Sequence, residues 1–375
     1  TLPFPPARMA SLMRRALFLA EGNLGATSPN PSVGTVIADR ATGEIIASAA
    51  TAPGGRPHAE ALALSQAGVR ARGAILFTTL EPCSHFGLTP PCVRAIVDAG
   101  IAMTVYGCSD PDPRVAGQGL AFLEANGVRT VKGEFLKEAE WINLGHSLRM
   151  TEDRPFVQLK LAVDANGRVP IGNGKPVWVT DEAARAQAHL LRSRADAILV
   201  GRKTIEADDP ELTCRLPGIE HRSPLRIVLA QQCGLPAKAR IFNTGNSPVW
   251  IVCGGRSDTS GLERMPGVRL LRIDASTGKA FDLRHVLKLL SGEGISRLLV
   301  EGGPATAREF IEAGLADEVI IMQGETRLGA AATLSPFVDR GLELVSGSKS
   351  FILAAQRKGG STNIFVFRSV AHWQA

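Results

Sequence analysis

Apolar residues in the first 150 positions recur with two periods, which predict alternating helices and strands. A helical period predicts a helix over residues 8–23, after a Pro-rich tail at residues 1–7 that we expect to be loose. Further helices are predicted at 58–68, 92–99 and 120–126, and strands at 33–38, 44–50, 74–80 and 103–107. Such alternation is typical of a mainly parallel sheet that helices cover on both faces.

Polar, irregular sequence follows at residues 149–155, and we place a domain boundary there, between residues 1–150 and 151–375. Beyond it, strands are predicted at 156–163, 197–200, 226–229, 249–252, 269–273, 297–300, 318–322, 351–356 and 362–368. Helices are predicted at 181–193, 283–291 and 305–313. The halves do not resemble each other, and two α/β domains suit a chain of 375 residues.

Composition narrows the function only slightly. Aromatic residues make up 5% of the chain, with a single tyrosine, which disfavours a stacking platform for single-stranded nucleic acid. The net charge of +6 suits an anionic substrate such as a phosphate ester, although it also fits an ordinary solvated surface. The apolar run at 13–21 is too short for a signal peptide and is interrupted by Glu21, and six cysteines are too few for a disulfide scaffold. We therefore expect a cytoplasmic protein.

One imidazole and two thiols stand at the ends of predicted βα units in the first half. His58 opens a helix, Cys83 follows a strand, and Cys92 opens the next helix, where the helix dipole favours a thiolate. These are good zinc ligands, and three of them leave a fourth position for a water whose pKa falls to about 7. Glu60 is a candidate to relay that water's proton. Since residues two apart do not share a helix face, His58 must then lie at the helix tip.

Weaker interpretations of these residues stay open. His58 and Glu60 alone are typical of a solvated helix start, and Cys83 and Cys92 alone are typical of packed thiols. A purely structural zinc would need a fourth protein ligand, which His85 could supply.

A second candidate site lies in the other half. Gly302 and Gly303 separate the strand that ends before Glu301 from the helix after Pro304, and a helix N-terminus behind a side-chain-free backbone binds anions. An ordinary turn is the alternative. No Gly-x-Gly-x-x-Gly occurs, so a Rossmann dinucleotide site is not supported. Lys160, in an apolar strand, either faces an anion or lies at a solvated position.

Several motifs together resemble a known family. Residues 27–34 and 55–61, and the eight-residue spacing between Cys83 and Cys92, are similar to the riboflavin-biosynthesis branch of the zinc nucleobase deaminases. The second half resembles the reductase of the bifunctional riboflavin-biosynthesis deaminase/reductase. The resemblance implies an α/β fold, with an N-terminal cytidine-deaminase-like α/β/α domain and a C-terminal dihydrofolate-reductase-like α/β domain.

The resemblance also implies an activity. The first domain would use Zn²⁺ to deaminate 2,5-diamino-6-(5-phosphoribosylamino)pyrimidin-4-one by hydrolysis, and the second would use NADPH to reduce the ribosyl group to ribityl. The partner would be this small phosphorylated substrate rather than nucleic acid or membrane, and the chain would form a homo-oligomer.

By positional match the resemblance implies a set of site residues. The metal ligands are His58, Cys83 and Cys92, and the catalytic residues are Glu60 and Asp208. The cofactor would contact Ala162, Trp178, Thr204, Asp208, Gly303, Pro304, Ala305 and Thr306. The substrate would contact Asn30, Lys160, Arg192, Leu212, Arg215 and Glu301.

The chain departs from the family pattern at four places. Leu88 stands where the family has a basic residue that contacts the substrate phosphate, Pro176 replaces an expected serine, and segments 164–167 and 323–327 differ from the usual motifs. Two other functions are therefore considered, namely a zinc deaminase of nucleosides or polynucleotides and a nucleic-acid-binding module with a structural zinc. Three protein ligands would favour catalysis, and four would favour a scaffold.

Overall fold

The computed structural model describes residues 3–112, 116–169, 178–245, 247–255, 258–259, 261–273, 281–328 and 350–373. The chain forms two compact units, Thr1–Arg154 and Pro155–Ala375, and each has its own sheet. Within the ranges given above, none of the helices combines the length and the apolar character needed to cross a bilayer.

The first unit has five strands and five helices among its described residues. In chain order these are α1 (Pro6–Gly22), β1 (Gly34–Ala38), β2 (Ile45–Ala50), α2 (Ala59–Ala67), β3 (Ile75–Leu80), α3 (Cys92–Asp98), β4 (Met103–Cys108), α4 (Gln118–Ala125), β5 (Arg129–Lys132) and α5 (Leu136–Thr151). The sheet has the order β2-β1-β3-β4-β5.

The prediction of a mainly parallel sheet is wrong for half of this unit. Strands β3, β4 and β5 run parallel, but β1 is antiparallel to both β2 and β3. The reason is the tight turn between β1 and β2, in which Asp39 Oδ1 accepts hydrogen bonds from the backbone N–H groups of Ala41 and Thr42. So short a connection can join only antiparallel strands.

Two further predictions for this unit need correction. The tail is not loose throughout, because Phe4 is buried and Pro6 is the first residue of α1, a position that proline favours. The segment before the domain boundary is not irregular either, since α5 continues to Thr151. Strand β5 and helix α5 have no counterpart among the predicted elements.

Helices cover both faces of the first sheet. Every residue of β1 and β3 is buried, which agrees with their nearly continuous apolar sequence. On one face, α1 and α5 pack over a cluster that includes Met13 and Phe77. On the other, α2 and α3 pack over a cluster that includes Leu76, Ile96 and Leu123. The central strand β3 is thereby held on both sides, and so is the loop that follows it.

The second unit contains nine strands among its described residues, and all nine were predicted. Its elements are β6 (Phe156–Val163), α6 (Glu182–Ser193), β7 (Ala197–Gly201), α7 (Arg202–Asp208), β8 (Leu225–Leu229), α8 (Arg240–Asn243), β9 (Val249–Gly254), β10 (Val268–Ile273), α9 (Leu283–Gly292), β11 (Arg297–Val300), α10 (Pro304–Glu312), β12 (Glu318–Gln323), β13 (Phe351–Gly359), β14 (Thr362–Ser369) and α11 (Val370–Trp373). The short helices α7, α8 and α11 were not predicted.

The second sheet has the order β10-β9-β8-β7-β11-β6-β12-β14-β13. Its strands run parallel from β10 to β12, whereas β14 is antiparallel to both of its neighbours. Helix α9 buries a stripe at helical spacing, formed by Leu283, Val286, Leu287 and Leu290, against this sheet. In the parallel region the carboxyl ends of β6, β7 and β11 lie side by side at one edge of the sheet.

We expect Gly34→Ala to destabilise the first unit. A Cβ on Gly34 would lie 1.9 Å from the carbonyl oxygen of Ala16, so α1 could no longer pack directly on β1. Overpacking of this kind costs about 1–3 kcal/mol, because backbone atoms must move. Calorimetry of the whole chain should show one thermal transition lowered by several degrees and the other unchanged.

Gly22→Ala is the matched control, since a Cβ there meets nothing within 4 Å. An equal effect of both substitutions would contradict the close approach of α1 to β1.

Candidate functional site

The three proposed metal ligands of the first unit lie together at the ends of secondary-structure elements. His58 is the residue before α2, Cys83 follows β3, and Cys92 is the first residue of α3. Their ligand atoms all lie within 4.8 Å of one another. His58 Nδ1 is 3.7 Å from Cys83 Sγ and 3.3 Å from Cys92 Sγ. The structure therefore brings together residues that are up to 34 positions apart in the chain.

This cluster fits a zinc ion. Tetrahedral coordination with ordinary Zn–S and Zn–N bond lengths places the sulfur and nitrogen atoms about 3.6 Å apart, close to the observed distances. His85 is exposed and is not part of the cluster, so the described residues supply three protein ligands and not four. Three is the number that catalytic zinc sites use, whereas structural sites use four.

The protonation of the cluster also suits a cation. Hydrogen bonds, chiefly with the Cys92 side chain and also with His58, lower the pKa of Cys83 to about 4. The same contact with Cys83, together with burial, raises the pKa of Cys92 well above its ordinary value. Cys83 is therefore a thiolate that shares the Cys92 proton, and a bound cation would displace that proton.

Glu60 lies in the first turn of α2, directly beside the cluster. His58 has extended backbone angles and occupies the N-cap position of α2, so the expectation that it lies at the helix tip is confirmed. The Glu60 side chain is buried, and this burial raises the pKa of its carboxyl to about 7. A carboxyl with such a pKa can both accept and release a proton near neutral pH.

A cavity of about 170 Å³ opens beside the cluster. Of the residues proposed from the sequence, Asn30, His58, Glu60, Cys83 and His85 line it. Polar residues for which the sequence analysis made no proposal also line it, namely Arg56, Glu81, Asp110, Asp112, His146 and Arg149. The cavity is therefore more polar, and richer in charge, than the sequence motifs indicate.

A network of buried carboxylates holds one wall of this cavity. Glu81 accepts hydrogen bonds from the backbone N–H groups of Asp110 and Gly117, at 3.4 and 3.2 Å. Asp110 Oδ1 lies 3.3 Å from His146 Nε2 and accepts a hydrogen bond from the Asp112 backbone. His146 lies on α5, so its part in the site could not be proposed while that helix was missed.

In the second unit, charged side chains gather at the carboxyl ends of the parallel strands. Glu301, directly after β11, accepts two hydrogen bonds from Arg192, at 2.8 and 3.0 Å. Lys160 Nζ, on the neighbouring strand β6, lies 3.6 Å from the same carboxylate. These cations outweigh the effect of burial and lower the pKa of Glu301 to about 2. Lys160 therefore faces an anion rather than a solvated position.

A cavity of about 780 Å³ borders this charged group. Five of the proposed residues line it: Lys160, Ala162, Trp178, Arg192 and Arg215. His189, which the sequence analysis did not single out, also lines it, and burial together with the two arginines lowers its pKa to about 4. The residue is a neutral imidazole at pH 7. In the sequence, only the position of His189 on α6, three residues before Arg192, indicated that it belongs to this site.

The glycine pair before α10 forms a cradle that fits a phosphate group. A Cβ on Gly302 would lie 2.7 Å from Thr306 Cβ, so only glycine fits there. A Cβ on Gly303 would meet only Thr204 Oγ1, at 3.9 Å, and the backbone N–H of Gly303 donates to the same hydroxyl at 3.3 Å. Pro304 begins α10, and the N–H groups of the first helical turn have no partner within the helix. These features suit the phosphates of a dinucleotide.

The remaining proposed residues lie elsewhere. Asp208 is exposed at the end of α7, where partial desolvation raises its pKa, and it is not among the described residues that line the larger cavity. The Leu212 side chain is buried in a hydrophobic cluster. Leu88 is 89% exposed. Pro176 lies outside the described residues.

Two family models match the chain. The RibD C-terminal domain matches residues 155–349, and the cytidine and deoxycytidylate deaminase zinc-binding region matches residues 7–108. Together they cover the zinc cluster and the charged site of the second unit.

Curated relatives and solved structures agree with these matches. The riboflavin biosynthesis protein RibD of Escherichia coli is 36% identical, over 96% of this chain and 95% of its own length. That of Aquifex aeolicus is 35% identical, over 88% and 91%. RibD of Acinetobacter baumannii superposes with a TM-score of 0.84 at 31% identity, over 97% and 99%. The diaminohydroxyphosphoribosylaminopyrimidine deaminase/5-amino-6-(5-phosphoribosylamino)uracil reductase of Thermotoga maritima gives 0.82 at the same identity and coverage.

We expect Glu301→Gln to destabilise the second unit. The substitution keeps the shape of the side chain but leaves Arg192 and Lys160 without their anionic partner, which costs about 3 kcal/mol for a buried pair. Folding lowers the pKa of Glu301 from 4.5 to about 2, so the carboxylate stabilises the folded unit fully above about pH 4.5. This contribution is lost as the pH falls toward 2, and the difference between wild type and variant should shrink over that interval.

The measurement is the unfolding free energy of the second unit at several pH values. Glu312→Gln is the control, because its ion pair with Arg308 is exposed and contributes about 0.5 kcal/mol or less. A difference that stays constant from pH 7 to pH 3 would contradict the assignment.

Proposed function

This chain belongs to the RibD family of riboflavin biosynthesis proteins, and we propose how its residues divide the two chemical steps. The first unit is a zinc-dependent deaminase domain, and the second is a reductase domain of the NADPH-dependent type. The steps are the hydrolytic deamination of 2,5-diamino-6-(5-phosphoribosylamino)pyrimidin-4-one and the reduction of its ribosyl group to ribityl. Matches along nearly the whole chain favour this function over a nucleoside deaminase or a nucleic-acid-binding module.

In the deamination step, His58, Cys83 and Cys92 would hold the zinc ion. Zinc with three protein ligands supplies a Lewis acid and a water of lowered pKa. Glu60 accepts a proton from the attacking water and delivers it to the amino group that leaves C2 as ammonia. Its pKa of about 7 suits both halves of this transfer.

In the reduction step, NADPH supplies a hydride, and the chain's residues bind and orient the two reactants. The backbone at Gly303 and the first turn of α10 hold the cofactor phosphates. Lys160 and Arg215, which line the larger cavity, bind the substrate phosphate. Asp208, at the end of α7, is the polar group that we assign to the ribosyl C1′.

One observation carries this proposal: a three-ligand cluster, of which His58 and Cys83 line a cavity, lies beside the buried carboxyl of Glu60 in the same cavity. The direct test is to supply the purified protein with the diaminopyrimidine phosphate and to follow ammonia with and without NADPH. We expect ammonia in both cases and NADPH oxidation only after deamination. NADPH oxidation without ammonia release would contradict the proposed order of steps.

We expect Glu60→Gln to lower the rate of ammonia release by at least about 100-fold, because the amide cannot relay a proton. Zinc content should stay near one ion per chain, since Glu60 is not a ligand. NADPH oxidation with the deaminated product as substrate should be unchanged. Full deaminase activity in this variant would refute the relay role.

We expect Asp208→Ala to lower NADPH oxidation by about 100-fold or more while ammonia release continues. Glu206→Ala, on the exposed side of the same helix, is the matched control and should retain both activities. If Asp208→Ala reduced both activities in parallel, the assignment of separate sites would be wrong.

A further inference from the structure

We propose that Arg56 binds the substrate phosphate in the deaminase cavity and so determines specificity for a phosphorylated substrate. This inference rests on the proposed function, because it requires a pyrimidine ribosyl phosphate to enter that cavity. The resemblance leads us to expect a basic residue at position 88 for this contact. Leu88 is apolar, 89% exposed and not among the described residues that line the cavity, so the chain needs another cation.

Arg56 is placed where such a cation is required. It lies in the loop before α2, two residues from His58, and it lines the cavity. Its Nη1 donates a hydrogen bond to Thr89 Oγ1 at 2.6 Å. Its Nη2 is 3.3 Å from the point that a Cβ on Gly87 would occupy. The guanidinium therefore lies against the same loop on which Leu88 stands.

The charge of Arg56 is not neutralised by the protein. Among the described residues it forms no ion pair, and the contact with Thr89 uses only one of the five N–H donors of its guanidinium. The carboxylates of the cavity wall have other partners, since Glu81 accepts backbone N–H groups and Asp110 lies beside His146. A half-buried arginine with free donors at the edge of a cavity suits a phosphate, which it can bind through two parallel hydrogen bonds.

Arg149 is the other arginine of this cavity, and it already has a structural role. It donates a 2.6 Å hydrogen bond to the carbonyl oxygen of Pro29 and thereby joins α5 to the turn that carries Asn30. Arg149 is thus bound to the backbone of the cavity wall, whereas the contact of Arg56 is with a side chain of the neighbouring loop, so we assign the phosphate to Arg56.

The test compares two substrates, the diaminopyrimidine ribosyl phosphate and the same compound without its phosphate. Arg56→Ala should raise KM for the phosphorylated substrate by about 10- to 100-fold, the effect of losing a charge-assisted contact, with kcat nearly unchanged. The dephosphorylated substrate should be deaminated equally well by wild type and variant. Inorganic phosphate should compete with substrate in the wild type and lose this effect in Arg56→Ala, and Arg56→Lys should restore part of the affinity.

Arg94→Ala is the matched control, since it removes the same charge from an exposed arginine that stacks on Phe86 in the same loop. Zinc content and NADPH oxidation report that the variants are folded. Equal losses on both substrates, or no loss on either, would overturn the inference while the deaminase function stands. A wild type that deaminates neither substrate would overturn the proposed function, and this inference with it.

Discussion

The meeting of two helix N-termini at the end of a buried central strand is the constraint on which the first unit depends. His58 directly precedes α2, Cys92 begins α3, and Cys83 follows β3, whose six residues are all buried. Helix N-termini carry partial positive charge, and the backbone N–H of Cys92 at the start of α3 donates to Cys83 Sγ at 3.3 Å. This contact helps to lower the pKa of Cys83, whereas the pKa of Cys92 itself is raised, so the sequence-based expectation of a thiolate at Cys92 is wrong for the metal-free cluster. The packing of helices on both faces of the sheet therefore positions the ligands, and the same packing buries Glu60 and gives its carboxyl a pKa near neutrality.

In the second unit, neighbouring cations stabilise a buried carboxylate, whereas the first unit offers ligands for a metal ion. The Glu301 carboxylate would be costly to bury alone, and the bidentate contact with Arg192 and the nearby Lys160 offset that cost. Glu301 directly follows β11, at the carboxyl end of a parallel strand, which is the usual position of ligand sites in such folds. Lys160 and Arg192 reach it from β6 and α6. In both units, candidate functional residues thus lie where loops follow buried strands. At these places polar side chains can reach a cavity from a rigid support.

Sequence reasoning succeeded where a residue type is chemically distinctive or where a period is strong. The zinc cluster could be proposed because imidazole and thiol side chains are scarce, and the strands of the second unit because their apolar runs have clear ends. It failed for β5, whose four residues are all partly or fully exposed, and for α5, whose apolar side chains form no single stripe. His146 was missed with that helix. The burial of Leu212 could not be predicted from the sequence either, since it depends on tertiary packing.

Segments 164–167 and 323–327, which depart from the family pattern, lie together in the second unit. Two of the departing segments are bound to each other: the backbone N–H of Ala165 donates to Thr326, Gln323 donates to the carbonyl of Ala165, and the N–H of Leu328 donates to Asp164. Each segment satisfies polar groups of the other, so the two segments hold each other in place. A bound phosphate requires a cation at a particular position. A residue outside the loop that carries Leu88 can supply this cation.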